Sequence, residues 1–268
     1  MLAAKELSFH WEHLWDLGAV LAAAFVGGMA NVIAGGGSLI TFPTLLLVGL
    51  DPVVANATNT VALWPGSLSG VYGFRTEIRE APRAMYLLLI PSVVGGTLGA
   101  IILLRTPGRT FEVLAPFLVL TATALLAFQE PVSRLFNHQP QHSRSRRWWI
   151  LAVLTQTAVA VYGGFFGAGI GILILANLGL MGLTDIHRMN GLKNLYATGI
   201  NGAALVYFVM SGAVVWVVVL VMVVGAIIGG VTGAVVAHRV GRRTIRIAIV
   251  TMGFILSTAL IAKNYSLW

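Results

Sequence analysis

The sequence contains no cysteine in its 268 residues. Disulfides, thiolate metal sites and cysteine nucleophiles are thereby excluded. Charge is scarce as well. Asp, Glu, Lys and Arg make up 10% of the chain, against about 25% in an ordinary soluble domain. Acidic residues are the rarer sign, nine against seventeen Lys and Arg. No carboxylate stands out as a membrane-buried proton site: Glu112 lies near a helix start, and Asp51 and Asp185 read as helix caps. The six histidines fall in the terminal segment or in basic stretches. There is no HExxH, no phosphate loop and no dinucleotide fingerprint. No catalytic residue, metal ligand or cofactor is therefore expected, and an ATP-driven pump is disfavoured. The first sixteen residues hold Lys5, Glu6, Glu12 and Asp16 and lack the basic n-region and cleavage site of a secretory signal.

What remains is apolar. Hydrophobic residues make up 57% of the chain, and the mean hydropathy is +0.88. The runs 17–34, 84–104, 111–128, 148–166, 214–237 and 245–262 approach or exceed the length of about 20 residues that crosses a bilayer. The expected class is an all-α polytopic membrane protein. The formal net charge is +8. On a soluble chain that excess would point to nucleic acid. Here it sits in short connections, where it sets topology and attracts anionic lipid headgroups, so the bilayer is the expected partner and nucleic acid is not.

One stretch, residues 35–67, organises the rest: GGGSLITFPTLLLVGLDPVVANATNTVALWPGS. Three glycines close the first apolar run. A short run, 38–50, follows and is too short to cross comfortably. Asp51-Pro52 then opens a helix, Asp as cap and Pro in the first turn. The same order recurs over 169–201, GIGILILANLGLMGLTDIHRMNGLKNLYATGIN, with a break at 167–171 and a short run at 170–183. Gly35 and Gly169, Gly37 and Gly171, Asp51 and Asp185, and Asn56 and Asn190 all stand 134 residues apart. A constant offset of this kind indicates an internal duplication. The halves are 1–133 and 148–268, joined by a basic linker at 134–147 that contains HSRSRR.

Loop charge sets the expected orientation. Residues 75–83, the linker and 238–246 are basic and are expected on the cytoplasmic side. Both termini, Asp51, the 105–109 turn and Ser211-Gly212 then lie outside. That solution needs an odd number of crossings per half, so the halves are inverted. The expected fold is two inverted repeats of about five helical segments each, with glycine-broken short helices near the midplane.

Polar residues line one face of each repeated helix. On the first, Asn56, Asn59, Thr60 and Ser67 are spaced by threes and fours; on the second, Asn190, Lys193, Asn194 and Asn201. Such a stripe on an apolar helix faces protein or a water-filled path. Lys193 lies roughly 10 Å down its helix, at about 1.5 Å per residue, and would favour an anion. Snorkelling to the headgroups is its plainer reading. The breaks expose backbone N–H groups that attract anions, at Gly36, Gly37 and Ser38 and again at Gly167 and Gly169. These thirteen residues form the candidate substrate site. The competing reading takes the stripes as interhelical packing in a membrane protein with no transport role, such as an assembly factor or a membrane-embedded enzyme.

The segments GGGSLITFPTLLLVGLDPVVANATNTVAL and YGGFFGAGIGILILANLGLMGLTDIHRMNGLKNL resemble the two repeat signatures of the TauE/SafE family of sulfite exporters. The resemblance covers nearly the whole chain. It implies an inner-membrane secondary carrier for sulfite, an organosulfonate or a related sulfur anion, rather than an enzyme. The residues at 57–60, Ala-Thr-Asn-Thr, depart from the usual Ala and Thr-Ser-like pattern. Coupling and homo-oligomer formation are left open by both readings.

Overall fold

The computed structural model describes residues 14–34, 36–128, 146–240 and 242–265. The chain start, Gly35 and the linker expected at 134–147 lie outside the described residues, except that the linker's last two residues, Arg146 and Arg147, open a helix. The described residues are helical, with no strand among them. In chain order the helices are α1 (Leu14–Ala34), α2 (Ser38–Leu47), α3 (Pro52–Gly73), α4 (Arg75–Glu80), a 3-10 helix (Arg83–Leu88), α5 (Leu89–Arg105) and α6 (Gly108–Ala127). They continue with α7 (Arg146–Phe165), α8 (Ile170–Leu180), α9 (Ile186–Met210), α10 (Trp216–Val240) and α11 (Arg242–Tyr265).

Three expectations change in detail. The segment 75–83 is not simply a loop: it contains α4, and the following span starts as a 3-10 turn before settling into α5. Pro82 and Pro91 flank that turn, and neither has an N–H to give to a regular helical ladder. The second break covers 166–169 rather than 167–171, because Gly171 already belongs to α8. The basic stretch 238–246 is mostly helical, with α10 running to Val240 and α11 starting at Arg242.

Many large apolar side chains face outward, and several polar ones are buried inside. Leu151, Leu154, Leu220, Ile227 and Val231 are exposed, while Asn56, Asn59, Thr58, Ser92, Gln156 and Asn177 are buried. That inversion of the soluble pattern is what a lipid solvent selects. Among the described residues, Arg83–Arg105, Gly108–Ala127 and Arg147–Phe165 are long and apolar enough to cross a membrane. With about 1.5 Å of rise per residue, the 10 residues of α2 and 11 of α8 each reach only partway.

Asp51 and Asp185 cap α3 and α9 in the same way. The Asp51 carboxylate accepts from the N–H groups of Val53 and Val54; that of Asp185 accepts from His187 and Arg188. The Arg188 N–H foremost holds the exposed Asp185 carboxyl below its usual range.

The long helices pair across the two halves of the chain. α1 packs along α10, and α5 along α7. Glycine sets both approaches. A methyl group at Gly95 in α5 would meet Thr157 O, Ala160 Cβ and Val161 N of α7 at 2.8, 2.6 and 3.1 Å. At Gly225 in α10 it would meet Leu21 O, Ala24 Cβ and Phe25 N of α1 at 2.8, 2.9 and 3.2 Å. Gly225 stands 130 residues after Gly95, and the α7 contacts stand 136 after those of α1. The two packs are therefore near copies. Backbones this close gain dispersion contacts where lipid supplies no hydrophobic drive between helices.

At the centre, α3 and α9 cross. The Trp64 indole N–H donates to Thr198 O at 3.1 Å, and the Thr198 hydroxyl donates to Ser67 O at 3.2 Å. Further along α3, Gly70 lies against Asn194, which is further back along α9. The two central helices thus run antiparallel. Their N-terminal ends differ in surroundings. Asp51 lies beside Gly108 at the turn between α5 and α6, whereas Arg188 beside Asp185 reaches Glu80 of α4 at 3.7 Å.

Candidate functional site

The first break lies where α1 turns into α2. Gly36 and Gly37 are buried, and Ser38 is half-buried. A methyl at Gly37 would lie 2.5 Å from Gly27 O and 3.2 Å from Asn31 Cβ, so this glycine lets α2 start directly against α1. One turn into α2, the Thr41 hydroxyl lies 3.1 Å from Gly37 O and 2.5 Å from Asn59 Oδ1 on α3. A hydroxyl has one proton and can donate to only one of them at a time.

The second break joins α7 to α8. Gly167 and Gly169 have φ of +79° and +74°, the left-handed region where a side chain strains the backbone. The Tyr162 hydroxyl braces the turn by donating to Ala168 O at 2.8 Å. Asn56, from the other half, donates its Nδ2 to Phe165 O at 3.0 Å. Asn201 Oδ1 stands beside Gly167. The Lys193 stem packs on Gly171 in the first turn of α8, and its Nζ donates to Asn190 Oδ1 at 3.1 Å.

The α3 stripe therefore touches both breaks: Asn59 reaches α2 through Thr41, and Asn56 reaches the end of α7. The α9 stripe touches the second break through Asn201 and Lys193. Both breaks flank the crossing of α3 and α9, because Asn31 beside Gly37 is also next to Gly66, and Asn201 is adjacent to Gly202 under the Trp64 ring. Asn31 was missed by sequence reasoning, since its counterpart 136 residues on is Gly167 and no repeated polar stripe marks it.

The expected supply of amide donors is largely committed to the protein. Asn56 serves Phe165 O, Asn190 donates to Ile186 O at 2.8 Å, and Asn194 leans on Gly70 O at 3.5 Å. The Thr60 hydroxyl bonds Asn56 O at 2.9 Å. Ser67 offers its carbonyl to Thr198 and keeps a half-buried side chain. The half-buried polar groups around the crossing are thus Asn31, Ser67, Asn194 and Asn201, with Lys193 between them and the Asp185 end. A separate depression of about 230 Å³ lies at the Asp51 end, lined in part by Asp51, Glu112, Pro116 and Leu260.

Apolar outer helices around two polar central ones, with paired helix breaks beside their crossing, define a multi-pass α-helical membrane protein. The chain belongs to the family described as "Sulfite exporter TauE/SafE", which matches residues 20–260. It is 30% identical over 250 residues to a "Probable membrane transporter protein" of Haemophilus influenzae, covering 92% of this chain and 95% of that protein. It is 28% identical over 252 residues to "Probable membrane transporter protein YfcA" of Escherichia coli K12, covering 93% and 91%. It is 25% identical over 258 residues to "Probable membrane transporter protein ORF9" of a Sinorhizobium species, covering 96% and 95%. No solved structure gives a significant match. A membrane transporter is the function that this membership supports, with a small-molecule substrate and a lipid surround.

Proposed function

We propose that the chain is a secondary transporter, working as an exporter, for a small sulfur-containing anion such as sulfite or an organosulfonate. Transport would proceed by alternating access at the crossing of α3 and α9, between two inverted halves of an inner-membrane protein. The observation that carries this reading is the convergence of both helix breaks on that crossing, with polar side chains from α1, α3 and α9 around it. The antiparallel course of α3 and α9 and the copied glycine packs support the inverted duplication. The family name supports the anion. Lys193 supplies the positive charge. Its ammonium donates to Asn190 Oδ1 at 3.1 Å, beside the second break.

The test is flux of radiolabelled sulfite, and of a short organosulfonate, in proteoliposomes of the purified protein. Saturable flux of either, lost on Lys193→Met, is the expected result. One observation favours the packing-only reading: Asn56, Asn190 and Asn194 spend their N–H groups on backbone carbonyls. No flux above protein-free vesicles with any sulfur oxyanion would favour that reading.

A further inference from the structure

We propose that the first half of the chain binds a small monovalent cation of sodium size, held by Asn56 Oδ1 against the carboxyl end of α7. Asn56 is 1% exposed. Its Nδ2 donates to Phe165 O at 3.0 Å, which fixes the identity of the other amide atom. Turned over, the amide would set one carbonyl oxygen against another. Among the described residues, no donor reaches Oδ1. A buried acceptor without a partner calls for a donor or a cation.

The duplication shows which chemistry belongs there. Asn190 stands 134 residues after Asn56, and its Oδ1 accepts the Lys193 ammonium at 3.1 Å. The residue 134 before Lys193 is Asn59, which faces Thr41 instead. In the second half the amide oxygen holds a cation tethered to the chain; in the first half the tether is missing and the oxygen is orphaned.

The neighbouring backbone suits a positive ion as well. Phe166 N and Gly167 N both turn back to Tyr162 O, at 2.9 and 3.3 Å. The carbonyls of Gly163, Gly164 and Phe165 thus form the last turn of α7, the negative end of its dipole. Helix carboxyl ends beside a break coordinate sodium in carriers with broken helices. Amide and carbonyl oxygens are hard, neutral ligands. They match a monovalent ion better than a divalent one, which takes carboxylates.

This site stands on Asn56 and α7 alone and does not depend on which anion is carried. The test is thermal unfolding of the purified full chain in detergent, in sodium chloride against choline chloride at equal ionic strength and without any sulfur anion. A site that binds only the folded state raises the melting temperature with ligand concentration. At sodium about tenfold above its dissociation constant, the expected rise is roughly 3–6 °C. Asn56→Ala should abolish the difference between the two salts. Equal melting temperatures in the two salts for the wild-type chain would overturn the proposal and leave Oδ1 to a buried water. So would a sodium shift that persists in Asn56→Ala. If that variant does not fold, lithium, sodium and potassium chlorides are compared on the wild type. A graded response with its maximum at sodium supports the site, and three identical curves overturn it.

Discussion

Lys193 stands 134 residues after Asn59, and the two do different work. Asn59 joins α3 to its own short helix through Thr41, whereas Lys193 lays its stem on Gly171 and its ammonium on Asn190. Replacing Lys193 by Met keeps the stem and removes the charge. If the ammonium also holds the carried anion, Lys193→Met should weaken anion affinity about ten- to a hundredfold. That corresponds to the roughly 1.5–3 kcal/mol of a hydrogen bond to a charged group. Lys193→Arg should recover only part of it, because a guanidinium donates in a fixed fork. Affinity measured in detergent for the three proteins decides the matter; equal values would leave Lys193 as a topology residue. Asp51 is simpler. Its carboxylate serves two N–H groups of α3, so Asp51→Ala should cost about 1 kcal/mol, read as a fall of a few degrees in melting temperature.

At the scale of elements, the two short helices are anchored differently. Asn177 of α8 donates to Gln156 Oε1 of α7, and Gln156 Nε2 donates to Ser92 Oγ of α5, both at 2.8 Å. The Ser92 hydroxyl donates to Leu88 O at 2.7 Å. The chain of bonds is buried and locks α8 to the α5–α7 pair. The corresponding positions, Pro43 and Val20 in the first half and Met222 in the second, are all apolar, so α2 has no such lock. Removing one member of a satisfied buried chain strands its partners, at about 1–3 kcal/mol, whereas removing both members of a pair can be nearly neutral. Gln156→Val alone should therefore destabilise markedly. The double variant Gln156→Val with Asn177→Leu should lose less than the two single losses combined. Strict additivity of the melting shifts in that cycle would mean that the bonds do not couple α7 to α8.

For the whole molecule, α1 with α10 and α5 with α7 form two close-packed bodies around the central helices. A methyl at Gly99 would overlap Val161 O, and one at Gly229 would overlap Phe25 O. Either Gly→Ala change should cost roughly 1–3 kcal/mol, since neither backbone can withdraw without unpacking the pair. The two changes should have similar effects, because the packs are near copies. Orientation is tested on the cysteine-free chain. Single cysteines at Gln141 and Trp268 should label from opposite faces of sealed vesicles if each half crosses an odd number of times. Labelling of both from the same face would rule out the inverted arrangement.

Composition and pattern alone determined the membrane class, the two aspartate caps and the glycine breaks. Each depends on residues close together in the chain: a run of apolar side chains, a cap within three residues of its N–H groups, a glycine at a turn. The site was legible only as two stripes. What each stripe residue does was decided by tertiary structure, because its partners come from far along the chain. Asn56 meets a carbonyl 109 residues away, and Gln156 meets Ser92 across 64. An amide reads identically in sequence whether its N–H is free for a ligand or spent on a backbone oxygen. Asn31 has no repeated counterpart and became visible only when α2 folded back against α1. The exchange of partners between halves was equally hidden. It rests on backbones touching at glycines, and a glycine's neighbour is set by how helices cross rather than by the sequence around it.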